Sequence, residues 1–277
     1  MSILEAIVLG LVQGLTEFLP VSSSGHLVLL QKIFGIEEPA MLFDVMVHLG
    51  TLLAVFVVLW KDIWAILRRP IQLLTGLLLL ATVPTVIAAL AFRKGIEHAF
   101  ESGQFLGFAF LATTALLTVA ELLSRRASAA NDLKPAEKMN WLDALVIGIM
   151  QAVAIIPGIS RSGATISGAL SRKLDRDFAA RFSFLLSIPA ILGAVVLHAK
   201  DLVKGNAAVE AGGAEIAGIG TAAIIAGTIS AAVVGYFAVR FMLRIIKERS
   251  LFGFAIYTAV LGILVLIDQF GTHLVFK

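Results

Sequence analysis

Hydrophobic and polar positions along this chain sort into long apolar runs separated by short polar breaks. Six runs, at residues 43–60, 70–92, 102–123, 182–199, 216–243 and 250–270, each hold a core of roughly 16 to 24 residues without Asp, Glu, Lys or Arg. A helix needs about 20 apolar residues to cross a bilayer, so each run predicts a transmembrane helix. Pro84 and Pro189 fall inside two of them, where neighbouring helices can satisfy the carbonyls that proline frees. Two other apolar regions, 3–34 and 141–172, are interrupted near their middles by Pro20 to Gly25 and by Pro157 to Gly163. Each predicts two half-length helices joined at a polar tip. A helix of ~12 residues rises only ~18 Å, too little to cross. The pattern therefore predicts two re-entrant hairpins, whose tips are tolerated at depth only under cover of protein or a wet cavity.

The two hairpins resemble each other. A shift of 138 residues pairs Leu4 with Leu142, Gly10 with Gly148, Gln13 with Gln151, Ser22 with Ser160, Ser24 with Ser162 and Gly25 with Gly163, and sets Glu5 against Asp143. Farther along, Leu106-Gly-Phe-Ala-Phe110 is echoed by Phe252-Gly-Phe-Ala-Ile256. An internal duplication is predicted, with a first repeat at 1–124, a linker at 125–140 and a second repeat at 141–277. Each repeat holds one hairpin and three crossings. Three is odd, so the second repeat starts from the opposite side of the membrane and the repeats are inverted. The predicted fold class is an all-α polytopic membrane protein with an inverted-topology repeat, an arrangement that brings broken helices together near the midplane.

Composition makes lipid the main solvent. Of 277 residues, 59% are hydrophobic and 15% charged, against about a quarter charged in soluble domains. Mean hydropathy is +0.96. A net charge of +3 would suggest a nucleic-acid partner in a soluble protein, but here the basic residues sit in short loops between apolar runs. That placement reads as topology, and no nucleic acid is expected. In the six-crossing scheme fifteen Lys and Arg fall on one side and six on the other, with Arg161 in a hairpin tip completing the 22. The richer side is cytoplasmic by the positive-inside rule. This predicts a multi-pass inner-membrane protein whose termini and first hairpin mouth face outward, with a cytoplasmic linker. Cysteine is absent, which excludes disulfides, thiolate zinc sites and a cysteine nucleophile. The N-terminus lacks a basic n-region, so no cleaved signal peptide is expected.

Polar residues inside the hairpins are the candidates for chemistry. Gln13 and Glu17 are four residues apart and share a helix face. An ionisable group at such depth costs ~2.5–3.5 kcal/mol on insertion scales and calls for a partner or a cavity. Pro20-Val-Ser-Ser-Ser-Gly-His26 follows. Serines ahead of an apolar helix can serve simply as N-caps. A helix N-terminus with free N–H groups, hydroxyls and a glycine is also an anion site. With a carboxylate and a histidine added, the tip has the parts for acyl or phosphoryl transfer. A serine attacks, His26 or Glu17 manages the proton, and backbone donors hold the developing charge. His26 lies three residues from Ser23, on the same face once a helix has begun. In the second tip, Pro157-Gly-Ile-Ser-Arg-Ser-Gly163, Arg161 is flanked by apolar sequence on both sides. Its planar fork suits phosphate. An ion pair with Glu17 across the tips is the structural alternative, and both hold if the pair loosens when a phosphate arrives. Asp44 and His48 share a helix face and could line the mouth of the site. Glu121 with Arg125, and Arg172 with Asp175, read as ordinary surface pairs at helix ends. There is no Gly-Lys-Ser/Thr P-loop and no His/Cys cluster at metal spacing. A hard cation such as Mg²⁺ or Ca²⁺ could still bind Glu17, Gln13 and a substrate phosphate.

Gln13-Gly-Leu-Thr-Glu17-Phe-Leu-Pro-Val-Ser-Ser-Ser-Gly-His26 and Pro157-Gly-Ile-Ser-Arg-Ser-Gly-Ala-Thr165 closely resemble the two signature motifs of the bacterial undecaprenyl-diphosphate phosphatases, the family associated with bacitracin resistance. Arg181-Phe-Ser-Phe-Leu-Leu-Ser-Ile-Pro189 is similar to family sequence as well. The resemblance implies an integral membrane hydrolase that converts undecaprenyl diphosphate to the monophosphate and inorganic phosphate, recycling the lipid carrier for cell-wall synthesis. It further implies a site toward the outer, periplasmic face, a divalent cation (Mg²⁺ or Ca²⁺, with Glu17 as a ligand), and catalytic roles for Glu17, Ser23, His26 and Arg161. Gln13, Ser22, Ser24, Gly25, Ser160, Ser162 and Gly163 are the expected substrate contacts. Relatives often carry Glu-x-x-x-Glu where this chain begins with Gln13, which argues that Gln13 ligates or hydrogen-bonds and is not the general base. Ser22, Ser23, Ser24 and His26 all stay open as the nucleophile, and Ser23 is the choice made here. Inverted repeats with re-entrant tips also fit a lipid or solute transporter or flippase, the alternative reading. Gly227, Ala231, Ala232 and Gly235 could pack helices within one chain or between two, which leaves a homodimer open.

Overall fold

The computed structural model describes residues 1–36, 41–204 and 220–276, and their regular structure is helical. In chain order the helices are α1 (Ile3–Thr16), α2 (Ser23–Ile33), α3 (Met41–Val58), α4 (Trp60–Arg68), α5 (Leu73–Ala91), α6 (Arg93–Ser102), α7 (Leu106–Ala129), α8 (Trp141–Val153), α9 (Arg161–Ser171), α10 (Arg176–Lys204), α11 (Thr221–Glu248) and α12 (Phe252–Ile267). Five are long and apolar enough to cross a membrane, or six if α3 and α4, bent by 79°, form one broken span. The chain is an all-α, multi-pass membrane protein.

Both predicted breaks occur. At 14 residues, α1 rises about 21 Å, well short of a hydrocarbon core of about 30 Å. It ends where Thr16 Oγ1 donates back to the Val12 carbonyl (2.7 Å) and Pro20 denies the backbone another donor. After the turn Ser22 caps α2, its Oγ accepting from Gly25 N–H at 3.2 Å. The second hairpin repeats this design, with Ser160 Oγ accepting from Gly163 N–H at 3.0 Å ahead of α9. The outer ends match too. Ser2 with Glu5, and Asn140 with Asp143, form capping boxes at the starts of α1 and α8. These residues occupy equivalent places under the 138-residue shift.

Packing follows the same correspondence. Helix α1 lies along α11 and α8 along α5, while α3 packs on α11, α10 on α5, and α7 on α12. The tightest approaches involve matched glycines. A Cβ at Gly10 would sit 2.2 Å from the Gly227 carbonyl oxygen, and one at Gly148 would sit 2.4 Å from that of Ala81. Ala81 and Gly227 are 146 residues apart, the same offset that relates Leu106 to Phe252 in the echoed segments. The largest buried cluster sits under the hairpin tips, where Phe18 meets Phe184 edge-on at 5.3 Å among Leu117, Ile147 and Ile166. A second one, with Ala6, Leu9, Leu27, Phe43, Val47 and Ala231, fills the space between α1, α2, α3 and α11. Leu79, Ile87, Val233, Phe237 and Ile263 project outward from the spans as exposed apolar side chains, the surface that lipid requires.

The structure departs from the sequence expectations at several boundaries. The first crossing stops at Val58, and α4 turns away with Trp60, Trp64 and Leu67 exposed and Arg68 stacked over Trp64 at 5.0 Å. Amphipathic α6 was not predicted either, because it has no long apolar run. Helix α7 continues to Ala129, so residues 125–129 of the expected linker are helical. Helix α10 begins at Arg176 because Asp175 Oδ1 accepts from Asp177 and Phe178 N–H groups. That role takes Asp175 away from Arg172, which donates instead to Asp143 (2.8 Å). The expected Arg172–Asp175 surface pair is thus replaced by a buried Asp143 held by Arg172 and Lys134. Glu121 is likewise no surface residue. It is 2% exposed and accepts from Arg125 Nε (2.7 Å), Arg176 Nη1 (3.0 Å) and Leu251 N–H (3.1 Å), because the starts of α10 and α12 close over it. The predicted start of the fifth crossing, residues 216–219, lies outside the described residues, as does Lys277.

Two stability outcomes are expected. Gly10→Ala and Gly148→Ala should each destabilise the protein by about 1–3 kcal/mol through overpacking against backbone. Glu121→Ala, which removes the carboxylate bonded by Arg176 and the Leu251 amide, should cost about 1–3 kcal/mol. Thermal unfolding in detergent checks both, and a substitution at exposed Leu79 serves as the neutral control.

Candidate active site

Tip meets tip around one carboxylate. Glu17, the residue that ends α1, has 5% of its side chain exposed and forms an ion pair with Arg161, the first residue of α9, whose Nη2 donates to Glu17 Oε1. Glu17 Oε2 accepts from Ser23 Oγ at 2.6 Å and from Gln13 Nε2 at 2.9 Å. Gln13 reaches it as the i−4 neighbour on α1, the face that the spacing predicted. Ser23 opens α2 just as Arg161 opens α9, and the two are 138 residues apart. Positions matched by the 138-residue shift therefore supply a hydroxyl from one hairpin and a guanidinium from the other, both bonded to the same carboxylate.

Two polar atoms beside this carboxylate are buried without a partner among the described residues: Gln13 Oε1, an acceptor, and Arg161 Nη1, a donor. Buried polar atoms are rarely left unpaired, and each costs ~1–3 kcal/mol of desolvation. An open acceptor and an open donor beside one carboxylate can take a ligand with both negative and positive character, such as a phosphate with an associated cation. The described residues contain no cluster of three or more His, Asp or Glu side chains that could cage a metal. Gln13 Oε1 and Glu17 are nevertheless oxygen donors that fit a hard cation completing its shell from substrate phosphate and water.

The remaining serines and glycines hold the tips together. Ser162 Oγ donates to the Leu19 carbonyl at 3.0 Å, and Gly158 N–H donates to Ser24 Oγ at 3.4 Å, so each tip grips the other. Ser22 and Ser160 cap their helices through Gly25 and Gly163, which uses those two N–H groups. Ser160 N–H donates to Thr113 Oγ1 of α7 at 3.0 Å. Of the expected substrate contacts, Ser22, Ser24, Gly25, Ser160, Ser162 and Gly163 thus spend polar atoms on one another and on the facing tip, and Gln13 alone has an unpartnered atom at Glu17.

The two histidines trade places relative to expectation. His26 does not meet Ser23 or Glu17. Its Nδ1 lies 2.6 Å from the Ser22 carbonyl oxygen and its Nε2 lies 2.7 Å from the Tyr257 hydroxyl of α12. His48, ranked low on sequence, brings its Nε2 within 3.6 Å of Glu17 Oε2 while its Nδ1 donates to the Asp44 carbonyl at 2.6 Å. Asp44 itself accepts from Gln31 Nε2 at 2.8 Å. Sequence reasoning missed Tyr257, Thr113 and Gln31. Tyr257 carried a signal, since it is one of two tyrosines in the chain and a hydroxyl within an apolar crossing needs a partner.

Comparison with known proteins places nearly the whole chain in one family. The family described as Bacitracin resistance protein BacA matches residues 6–264. The chain is 49% identical over 269 residues to Undecaprenyl-diphosphatase of Carboxydothermus hydrogenoformans, covering 97% of this chain and 98% of that one. Undecaprenyl-diphosphatase 3 of Bacillus cereus is 43% identical over 270 residues, covering 98% of both. Undecaprenyl-diphosphatase of Halothermothrix orenii is 41% identical over 269 residues, covering 96% and 98%. The match runs through both hairpin tips and nearly the whole length, and the chain belongs to the bacitracin resistance protein BacA family.

Proposed function

We propose that the site joined at Glu17 hydrolyses a membrane diphosphate: the chain converts undecaprenyl diphosphate to undecaprenyl phosphate and inorganic phosphate, which regenerates the lipid carrier for cell-wall synthesis and fits bacitracin resistance. The observation that carries this reading is the unpartnered Arg161 Nη1 beside the Ser23–Glu17 hydrogen bond. A nucleophile, its base and an anion clamp stand at one point inside an apolar protein. Family membership and relatives named undecaprenyl-diphosphatase support the substrate.

In the proposed reaction the terminal phosphate docks on Arg161 Nη1, drawing the guanidinium away from Glu17 and making that carboxylate more basic. Glu17 takes the Ser23 proton as Ser23 Oγ attacks the terminal phosphorus. The bond to the bridging oxygen breaks, and the lipid monophosphate leaves. Water then attacks the phosphoserine, Ser23 recovers its proton from Glu17, and phosphate departs with one proton passing to solvent. Arg161 faces the developing charge from a fixed, desolvated position, where such donors act most strongly. Gln13 Oε1 and Glu17 would hold a Mg²⁺ or Ca²⁺ ion, which when bound neutralises diphosphate charge.

The same reading takes the two matched halves, 1–124 and 141–277, as inverted repeats. Paired capping boxes, paired glycine contacts and the Ser23/Arg161 correspondence support it. The excess of basic residues at the linker side supports a cytoplasmic linker, with the first hairpin opening to the periplasmic face of the inner membrane.

Phosphate release from undecaprenyl diphosphate in detergent tests the assignment. Glu17→Ala, Ser23→Ala and Arg161→Ala are each expected to lower kcat by about 10²–10³-fold, and wild-type turnover by all three, correctly folded, would refute it. For the cation, a chelator should suppress turnover, and Gln13→Ala should raise the Mg²⁺ or Ca²⁺ concentration needed to restore it. An unchanged cation requirement in that variant would remove Gln13 from the ligand set.

A further inference from the structure

We propose that His26 is a positioning residue of this site, holding the Ser22 carbonyl so that the next residue, Ser23, stays aimed at Glu17; the proposal rests on the phosphatase reading above. A carbonyl oxygen only accepts, so the 2.6 Å contact to Ser22 requires a hydrogen on His26 Nδ1. In the neutral ring Nε2 then carries the lone pair and accepts from the Tyr257 hydroxyl at 2.7 Å. Both nitrogens are committed, and neither faces the Ser23–Glu17 bond.

The held carbonyl belongs to a strained residue. Ser22 sits at φ 74°, ψ 94°, a region that non-glycine residues enter only when their surroundings over-determine it. His26 supplies two of those constraints, because its backbone N–H also donates to the Ser22 oxygen, at 3.2 Å. Tyr257 lies nearly parallel to the imidazole, with 4° between the ring planes, and Phe110 makes a T-shaped contact with it at 5.6 Å. Helices α12 and α7 therefore fix the ring's direction.

The second hairpin is an internal control. Its cap, Ser160, bonds Gly163 just as Ser22 bonds Gly25, yet it adopts an ordinary φ of −68°. The position matching His26 is Ala164. The imidazole is present where the turn is strained and absent where it is not. In the strained copy the following residue is the attacking serine, and in the relaxed copy it is Arg161.

Substitutions that copy one nitrogen at a time separate holding from proton transfer. In H26N the side-chain amide stands where Nδ1 is, and in H26Q it stands where Nε2 is. With full-length protein, detergent and undecaprenyl diphosphate, H26N should keep kcat within about fivefold of wild type, while H26Q and H26A should fall about 10²-fold at similar KM, the size expected for a misplaced reacting group. S22G relieves the strain, since glycine accepts positive φ, so S22G/H26A should recover at least about tenfold over H26A. If H26N does not fold, the S22G pair decides alone. H26N as inactive as H26A, together with no recovery from S22G, would overturn the proposal and make the imidazole a proton carrier. Wild-type protein that releases no phosphate would instead sink the phosphatase reading, and this inference with it.

Discussion

A carboxylate and a guanidinium brought together inside an apolar protein form the constraint on which the rest of this structure depends. Either charge alone at that depth is expensive, and breaking such a pair typically costs about 3–5 kcal/mol because one ion is left uncompensated. Glu17 and Arg161 lie 144 residues apart in the chain, so their pairing holds the two hairpin tips together. Ser24 with Gly158 and Ser162 with Leu19 then pin the tips, and the glycines at 10 and 148 let the hairpins lie close enough to the long helices to reach them. The pair is also left incomplete. Among the described residues, Arg161 keeps one unpartnered donor and Gln13 one unpartnered acceptor, so the interaction that joins the tips is also one a ligand can complete.

Two similar hairpins make one asymmetric site. Matching tips share their caps and their glycines but differ at the residue that opens the second half-helix, Ser23 in one and Arg161 in the other. Shared residues cap the half-helices, and the residues that differ meet at Glu17. The strained Ser22 turn belongs to the same divergence, since it occurs only on the side that presents the hydroxyl.

Much of this was legible in the sequence, and the reasons are physical. Pro, Gly and Ser in the middle of apolar runs announce breaks that no crossing helix would carry, and isolated charges such as Glu17 and Arg161 announce a partner. Helices α4 and α6 were not legible because amphipathic segments lack the long apolar run used to find spans. Glu121 passed for a surface residue because two of the donors around it, Arg176 and the Leu251 amide, lie 55 and 130 residues away. His26 was placed on the right turn, but a helical position fixes a face and not the direction of a ring. Tyr257, which helps set that direction, is 231 residues distant.

The central claim is that the two tips form one catalytic unit, and a double-mutant cycle on phosphate release tests it most directly. Glu17→Ala, Arg161→Ala and the double variant would be compared by kcat/KM for undecaprenyl diphosphate. Groups that act as a unit are strongly non-additive, so the double variant should be about as slow as the worse single variant. Losses that simply multiply would mean that Glu17 and Arg161 act independently, and would contradict the account.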